Sequence, residues 1–361
     1  MSILLGLLLV IVLFWVIGLW MRSGEDLSVY DHPVAPEAAK FFPCPDGPSA
    51  EHGAAVAEIQ ASQPESAGKN RKELLFFIRD FMENLAQHKS FEAEFRPVDA
   101  GGVNAEWVLA PGADPDRRVL YIHGGAFIAG SPVSHRSITS QFSSVANAAV
   151  LAIDYRLMPE HHRRMGIADC QTAYRWIQEN GPAGPGPASR IFMGGDSAGG
   201  NLSLVMAAWA RDENLRPVDA VVAMSPLTDS TYSAPSIKGN LNTDYMLGPL
   251  FGKLARIPPP LLAWFYLQEH RFRQSDPLVS PVRGDLSGLP PILVQVSSSE
   301  MLFDDARRYV NKARAAGTPA RLQAWEGLLH VWQIFHPEVP EARQAFDEIA
   351  AFLSSVEAGR H

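Results

Sequence analysis

A serine stands between two glycines in the stretch Gly195-Asp196-Ser197-Ala198-Gly199, where an apolar run gives way to a run with helical character. Residues 190–194 predict a strand and residues 201–209 predict a helix. In a strand–turn–helix context, Gly-x-Ser-x-Gly is typical of a nucleophilic serine at the apex of a sharp turn. The glycines suit this turn because larger side chains would crowd its strained backbone. An ordinary Gly/Ser turn that begins a helix is the structural alternative.

A serine hydroxyl is a weak nucleophile at neutral pH, so the chemistry also needs donors for an oxyanion, a base and a carboxylate. Residues 118–122 predict a buried strand that runs into two successive glycines. These glycines allow the N–H groups of Gly124 and Gly125 to approach one oxygen, and the N–H of Ala198 follows the serine. We therefore predict an oxyanion hole formed by Gly124, Gly125 and Ala198.

The base is expected after the last strand. Residues 320–325 predict a short strand, and His330 lies in the turn that follows it. His336 comes later and precedes a proline, so it is the weaker candidate. His330 is therefore predicted to accept the serine proton, although a histidine in a surface loop would be the default interpretation without the serine upstream.

The carboxylate has three candidates. Glu300 follows directly after a strand predicted over residues 291–296, where a loop would face the histidine. Asp304 and Asp305 come just behind it, at the start of the next helix, where aspartate is commonly a cap. Glu300 is favoured over both aspartates, because a carboxylate of either length can orient an imidazole.

Taken together, four features resemble the hormone-sensitive-lipase-like branch of the α/β-hydrolase esterases, from about residue 95 to the C-terminus. The order serine, acid, histidine along the chain is the α/β-hydrolase order. The resemblance implies a carboxylic ester hydrolase without a cofactor, whose active site lies under a helical cap. The four features are His123-Gly124-Gly125-Ala126-Phe127, Asp154-Tyr155-Arg156-Leu157-Met158-Pro159-Glu160, Gly195-Asp196-Ser197-Ala198-Gly199-Gly200, and the turns that carry Glu300 and His330.

The sequence departs from this family after Glu160. The family usually continues with Pro-Phe-Pro-Ala, whereas this chain has His161-His162-Arg163-Arg164-Met165-Gly166. The departure leaves the chemistry intact but can alter the mouth of the pocket. His161 and His162 invite a metal interpretation, but no cysteine or acidic ligand set at metal-site spacing accompanies them, so no metal is predicted.

The apolar N-terminus is a separate element. Residues 3–21 contain no charged side chain, and as a helix they would span roughly 28 Å, close to the hydrocarbon thickness of a bilayer. A cleaved signal peptide is disfavoured because no Lys or Arg precedes the run and Met21-Arg22-Ser23-Gly24 is a poor cleavage site. Burial in an oligomer or against the cap entrance is a third option. We predict an uncleaved, single-pass transmembrane anchor at residues 1–22, in contact with the membrane through residues 3–21.

The rest of the chain divides into a linker with a cap segment (residues 23–94) and an α/β catalytic domain (residues 95–361). Residues 23–70 are rich in proline and small residues and predict a loosely wrapped arm. Residues 71–88 predict an amphipathic helix, which is a core helix on periodicity alone and part of the cap if the family resemblance holds. A second cap segment is expected at about residues 228–273.

The fold class predicted is α/β: a mostly parallel central sheet flanked by helices, with a helical cap and an N-terminal transmembrane helix. The net charge of −8, from 31 basic and 39 acidic residues without a basic block, disfavours nucleic acid as a partner. Cys44 and Cys170 form no disulfide framework. The sequence is compatible with a monomer or a homo-oligomer, and Arg22 after the apolar run weakly favours a cytoplasmic catalytic domain.

We therefore predict a carboxylic ester hydrolase that acts through Ser197, His330 and Glu300 and forms an acyl-enzyme with short to medium acyl esters. A membrane-associated lipase or acyltransferase is the first alternative. A non-catalytic binding protein on the same fold is the second, and the presence of nucleophile, base and oxyanion glycines disfavours it.

Overall fold

The computed structural model describes residues 2–66, 68–252 and 256–359. Within these ranges, helices and strands alternate along most of the chain. The helices are α1 (Ser2–Arg22), α2 (Ala50–Ser66), α3 (Arg71–Gln87), α4 (Arg136–Ala146), α5 (Arg163–Glu179), α6 (Ala198–Asp212), α7 (Ser236–Gly239), α8 (Leu247–Phe251), α9 (Pro259–His270), α10 (Phe303–Ala315) and α11 (Pro340–Glu357). The strands are β1 (Ala39–Phe42), β2 (Glu94–Asp99), β3 (Asn104–Leu109), β4 (Asp114–Ile122), β5 (Ala148–Ile153), β6 (Asn180–Gly181), β7 (Gly184–Pro185), β8 (Arg190–Asp196), β9 (Ala220–Met224), β10 (Ile292–Ser297) and β11 (Ala320–Trp325).

One large sheet runs through the molecule in the order β1-β11-β10-β9-β8-β4-β5-β3-β2. The first seven strands in this order, which end with β5, are each parallel to their neighbours. β3 is antiparallel to both β5 and β2. The central strands are apolar runs buried on both faces, as β5 illustrates, because helices cover the sheet on both sides. The predicted mostly parallel sheet flanked by helices is confirmed.

Two layers of helices enclose the sheet. Side chains of α5, α6 and α10 pack in one core against one face, and side chains of α4, α11 and α2 pack in a second core against the other. This arrangement follows from right-handed crossovers between parallel strands, which bring successive helices back onto the sheet. The strand ends that follow the apolar runs therefore meet at one edge of the sheet.

The arm that composition indicated as loosely wrapped contributes a strand of its own. β1 pairs with β11 in parallel from Ala39↔Leu322 to Phe42↔Trp325 and forms one edge of the central sheet. The ring of Phe42 stacks on the ring of Trp325 with centroids 4.1 Å apart. The arm is thus part of the hydrolase core as well as a connection to α1.

Both segments predicted as cap contain helices. A capping box at Asn70 and Glu73 begins α3, and Arg71 forms an ion pair with Glu269 of α9. α7, α8 and α9 lie in the predicted second cap segment. Residues 253–255 of that segment lie outside the described residues, as do residues 1, 67, 360 and 361 of the other predicted segments.

α1 is a single helix of 21 residues that is long and apolar enough to cross a membrane. Its side chains from Leu4 to Val16 are exposed, and Gly18 and Met21 are buried. The C-terminal half of α1 packs on α9, so the helix lies against the cap.

Candidate active site

Ser197 lies at the sharp turn between β8 and α6, as the Gly-x-Ser-x-Gly pattern predicted. Its backbone has a φ of 51° and a ψ of −113°, a strained conformation that residues other than glycine rarely adopt. A Cβ at Gly195 would come within 2.5 Å of the carbonyl carbon of Gly199, and a Cβ at Gly199 would overlap the carbonyl oxygen of Ile122. The two glycines therefore allow the turn to close tightly under the serine.

The register of the sheet brings the other predicted groups to the same edge. Asp196 lies opposite Met224 at the end of β9, and the neighbouring strands β10 and β11 end together at Ser297 and Trp325. Loops that follow these strands carry Glu300 and His330. Carboxyl ends of adjacent parallel strands thus collect the predicted nucleophile, acid and base in one region.

Glu300 and His330 form a buried pair in this region. His330 Nδ1 lies 3.4 Å from Glu300 Oε2, and the two side chains are 3% and 0% exposed. The hydroxyl of Ser225 donates to Glu300 Oε2 at 2.9 Å and accepts from the N–H of Val331 at 3.2 Å, so it ties the acid to the histidine loop. In the described part of the chain, no hydrogen bond joins the Ser197 hydroxyl to the His330 ring.

The electrostatics of this pair favour a charged histidine beside a carboxylate. Burial lowers the pKa of His330, but the adjacent Glu300 carboxylate, together with Asp244 and Asp196, raises it more, so the net pKa lies above the ordinary value of 6.5. Burial raises the pKa of Glu300, and His330 offsets this only in part. The arrangement therefore stabilises an imidazolium when His330 accepts a proton.

The two competing aspartates serve other elements. Asp305 accepts hydrogen bonds from the N–H groups of Thr228 and Asp229 at 2.8 and 2.9 Å, and burial together with Asp229 raises the pKa of Asp305 to about 8. Asp304 accepts from the N–H of Ser236 and pairs with Arg307 at 2.9 Å. Both carboxylates hold the first part of the 228–273 segment against α10. The predicted capping of α10 by these aspartates is wrong, because the N-cap residue is Leu302 and no side chain caps the helix.

The weaker histidine candidate also has a different environment. The ring of His336 packs edge-on against Phe346 of α11, with centroids 5.3 Å apart. Burial lowers the pKa of His336. His336 therefore packs against α11, whereas His330 faces Glu300.

One predicted oxyanion donor differs in the structure. The N–H of Gly124 donates to Asp196 Oδ1 at 3.0 Å, and Gly124 is buried, so this N–H is not free for a substrate. Gly125 and the next residue, Ala126, are partly exposed, and in the described residues their N–H groups have no hydrogen-bond partner. Gly125 and Ala126 both have positive φ angles, of 106° and 55°. Ala126 therefore replaces Gly124 as the third candidate donor beside Gly125 and Ala198.

Asp196 is the residue that holds this loop. Its Oδ1 also accepts from the hydroxyl of Tyr121 at 2.5 Å, and its Oδ2 lies 3.4 Å from His135 Nε2. Burial raises the pKa of Asp196, but His135 lowers it more, and the net shift is downward. Burial lowers the pKa of His135, but Asp196 raises it more, and the net shift is upward. The sequence marked the Asp196 position only as the variable residue of the motif, so its buried ionic role was missed.

Sequence reasoning also missed two residues that support the site. His52 of α2 accepts a hydrogen bond from the N–H of Leu329 at 2.9 Å through Nε2, directly before His330. Nothing in the sequence singled it out, because α2 and Leu329 are far apart in the chain.

Arg163 is the second residue, and the departure from the family pattern at residues 161–166 was its only signal. Its guanidinium lies over the Phe127 ring at 3.7 Å and donates to Tyr266 of α9 and Asn201 of α6, at 2.6 and 2.8 Å. Arg163 thus joins α9 of the predicted second cap segment to α6, which follows Ser197, and to the predicted oxyanion loop. The neighbouring His161 and His162 are exposed. Among the described residues, no group of three or more His, Cys, Asp or Glu side chains is arranged to hold a metal ion.

Comparison with known proteins places this geometry in a family. The model of a family described by its alpha/beta hydrolase fold matches residues 119–334. An acetyl-hydrolase of Streptomyces hygroscopicus is 38% identical over 256 residues, which cover 71% of this chain and 81% of the relative. The carboxylesterase/phospholipase LipF of Mycobacterium tuberculosis is 35% identical, over 71% of this chain and 68% of its own.

Solved structures of esterases are similar to this chain over most of its length. A crystal structure of an esterase/lipase from an uncultured bacterium superposes with a TM-score of 0.73 at 33% identity and covers 86% of this chain and 99% of that one. An esterase from the bacterial hormone-sensitive lipase family superposes with a TM-score of 0.72 at 34% identity, over 84% and 97% of the two chains. The similarity therefore includes the sheet and most of the surrounding helices.

Proposed function

The chain belongs to the α/β-hydrolase family, in its hormone-sensitive-lipase-like branch of esterases. On that premise, we propose that Ser197, His330 and Glu300 are the catalytic triad of this serine carboxylesterase. The observation that carries the proposal is the buried contact of 3.4 Å between His330 Nδ1 and Glu300 Oε2, at the strand ends that also carry Ser197. The engagement of Asp304 and Asp305 elsewhere supports Glu300 as the acid.

The mechanism follows from these roles. His330 Nε2 takes the proton of Ser197 Oγ as the hydroxyl attacks the ester carbonyl, and Glu300 stabilises the imidazolium through Nδ1–H. The N–H groups of Gly125, Ala126 and Ala198 hold the oxyanion. His330 then gives its proton to the departing alcohol, and water resolves the acyl-enzyme by the same steps. Each oxyanion donor contributes about 3 kcal/mol to the barrier reduction.

The substrates proposed are esters of short to medium acyl chains. The test is hydrolysis of a p-nitrophenyl ester series from acetate to palmitate, by the wild type and by Ser197→Ala. We expect activity to peak at short to medium chains and to fall by at least about 10³-fold in the variant, since the nucleophile is lost.

Ser203→Ala is the matched control, because Ser203 lies on α6 and its hydroxyl has no hydrogen-bond partner in the described residues. Wild-type activity equal to that of Ser197→Ala on every ester would refute the proposal. An added alcohol in the same assay distinguishes a hydrolase from an acyltransferase, because a transferase would convert the acyl-enzyme into a new ester.

We also propose that α1 anchors the enzyme to a membrane. The support is a helix of 21 residues whose first half is exposed and apolar, although a signal sequence meets the same criterion of length and composition. The buried Met21 and the bond from Ser275 Oγ to the Met21 carbonyl oxygen at 3.1 Å favour a helix that is retained, because its removal would uncover the cap. Arg22 at the end of α1 favours a cytoplasmic catalytic domain.

A further inference from the structure

The cap helix α9 packs directly on the apolar helix α1. The rings of Phe14 and Trp264 stack with centroids 4.8 Å apart and planes 9° apart, and the indole N–H of Trp264 donates to the Phe14 carbonyl oxygen at 2.9 Å. Gly18 lies so close to Pro260 that a Cβ there would come within 2.7 Å of the proline. α1 and α9 therefore form one packed pair of helices.

The position of this contact along α1 fixes the depth of α9 in a membrane. Phe14 precedes Arg22, the first charged residue of the helix, by eight positions, which is about 12 Å along the axis. A hydrocarbon layer that covers α1 up to its charged end therefore also reaches α9. This conclusion holds whether α1 crosses the bilayer or enters only one leaflet.

The outward face of α9 is suited to lipid. Leu261 and Phe265 are 41% and 46% exposed and lie one helical turn apart, whereas Leu262 and Tyr266 point into the protein and are buried. The side of α9 that carries Leu262 and Tyr266 is thus already packed against the protein. The exposed pair extends the apolar surface of α1, and adjoining apolar patches of this kind mark interaction sites.

Basic side chains lie where this apolar surface ends. Arg22 ends α1, Arg271 ends α9 and is exposed, and the Arg273 guanidinium lies 4.0 Å from the centre of the Trp20 ring. Arg273 also donates to the Trp20 carbonyl oxygen at 3.2 Å. In a protein with a net charge of −8, a tryptophan in contact with an arginine at the end of an apolar helix is typical of a site that meets anionic headgroups.

We propose that the exposed side of α1 together with Leu261 and Phe265 of α9 forms one lipid-facing surface, which seats the cap helix in a bilayer. The proposal rests on the membrane association of α1 proposed above and extends it from the anchor to the catalytic cap. The inner side of α9 reaches the site, because Tyr266 bonds Arg163 and Arg163 lies over Phe127 of the oxyanion loop. The substrate class is therefore esters dissolved in the bilayer, which enter beside α9.

The test uses the full-length protein in vesicles of phosphatidylcholine and phosphatidylglycerol. A nitrobenzoxadiazole maleimide is attached at Phe265→Cys in a Cys44→Ser background, since the other cysteine, Cys170, is fully buried. Leu8→Cys on α1 is the lipid reference. Phe41→Cys on the edge strand β1 is the matched aqueous control, with 57% exposure.

We expect doxyl-labelled lipid to quench the fluorophore at positions 265 and 8 at least about twofold, and to leave position 41 unchanged, because only lipid-immersed labels meet the quencher. Quenching at position 8 without quenching at position 265 would overturn the proposal and leave the anchor intact. Quenching at neither position, together with a molar mass equal to two copies of the chain, would mean that a second copy covers this surface. That result would also overturn the proposal that α1 is a membrane anchor.

Activity tests the substrate class with a second set of variants. The double variant Leu261→Gln/Phe265→Gln should lower the ratio of vesicle-dissolved p-nitrophenyl octanoate hydrolysis to p-nitrophenyl acetate hydrolysis by about tenfold, since the two half-exposed apolar side chains together contribute a factor of about that order to partition into lipid. Phe41→Gln should not change the ratio, and an equal ratio in all three proteins would refute the bilayer route. Acetate hydrolysis and its loss in Ser197→Ala test the proposed ester chemistry separately.

Discussion

In the proposed triad, the pair formed by Glu300 and His330 determines at which pH Ser197 can be deprotonated. Protonated His330 cannot accept the serine proton, so activity rises as the pH rises through the pKa of His330. The Glu300 carboxylate, acting against burial, holds this pKa above 6.5. The acid limb of the profile of kcat/KM against pH should therefore have its midpoint above that value.

Glu300→Gln tests this dependence, because it keeps the size of the side chain and removes its charge. We expect kcat/KM to fall about 10³- to 10⁴-fold, since the imidazolium loses its stabilising carboxylate. The residual activity should have an acid limb at lower pH, because the pKa of His330 falls when burial acts alone. The measurement is the pH profile of p-nitrophenyl acetate hydrolysis between pH 5 and about 9.

Asp304→Asn is the control for the acid. Its carboxylate binds the N–H of Ser236 and Arg307, so the substitution should leave the acid limb at its wild-type position. An acid limb that moves in Asp304→Asn and stays fixed in Glu300→Gln would assign the role to Asp304 instead.

The sequence predicted where the candidate site residues lie along the fold, because Ser197, Glu300 and His330 each follow a recognisable strand. The sequence could not predict which backbone N–H groups are free. The N–H of Gly124 is bonded to the side chain of Asp196, which lies 72 positions away, and that contact exists only once β4 and β8 are paired. Motif glycines therefore identify the oxyanion loop but not its individual donors.

At the level of elements, α2 packs in the second core and also supports the histidine loop. His52 Nε2 accepts the N–H of Leu329, so the proton of the neutral ring lies on Nδ1. Burial lowers the pKa of His52, which keeps it a neutral acceptor at pH 7. Orientation of His330 thus depends on a helix contributed by the N-terminal segment.

His52→Leu should lower kcat by about tenfold with little change in KM, because a buried N–H without an acceptor costs about 1–3 kcal/mol and loosens the loop. His52→Gln keeps an acceptor oxygen and should restore most of the activity. Steady-state kinetics of the two variants check this expectation. Equal activity in His52→Leu and the wild type would show that Leu329 is held by other contacts.

Elements with strong internal patterns were predictable, and those defined by distant partners were not. The apolar runs of β5 and β8 are buried on both faces, so composition alone marks them as strands. β1 has only four residues without regular alternation of burial, and its neighbours are prolines and small residues. Its strand conformation depends on pairing with β11, about 280 positions later.

At the scale of the whole molecule, the N-terminal arm connects α1 to the central sheet. Asp31 of the arm pairs with Arg308 of α10 at 2.6 Å, and Asn311 donates to the carbonyl oxygens of Tyr30 and His32 at 3.0 and 2.8 Å. The apolar length of α1 was visible in the sequence. Its docking on α9 was not, because that contact joins side chains about 250 positions apart.

The final prediction concerns how firmly the arm belongs to the fold. Phe41 and Phe42 are adjacent residues of β1 that point to opposite faces of the sheet. Phe42 stacks on Trp325, with planes 4° apart, whereas Phe41 is 57% exposed. Phe42→Ala should therefore lower the free energy of unfolding by about 1–3 kcal/mol, through lost burial and stacking.

Phe41→Ala is the same substitution on the same strand and should change the free energy of unfolding by no more than about 0.5 kcal/mol. The check is the midpoint of urea unfolding for both variants and the wild type in one detergent. If the arm were only a tether, both variants would unfold at the wild-type midpoint. A lower midpoint for Phe42→Ala alone means that the arm and the catalytic sheet unfold together, since β1 pairs with β11, the strand that leads to His330.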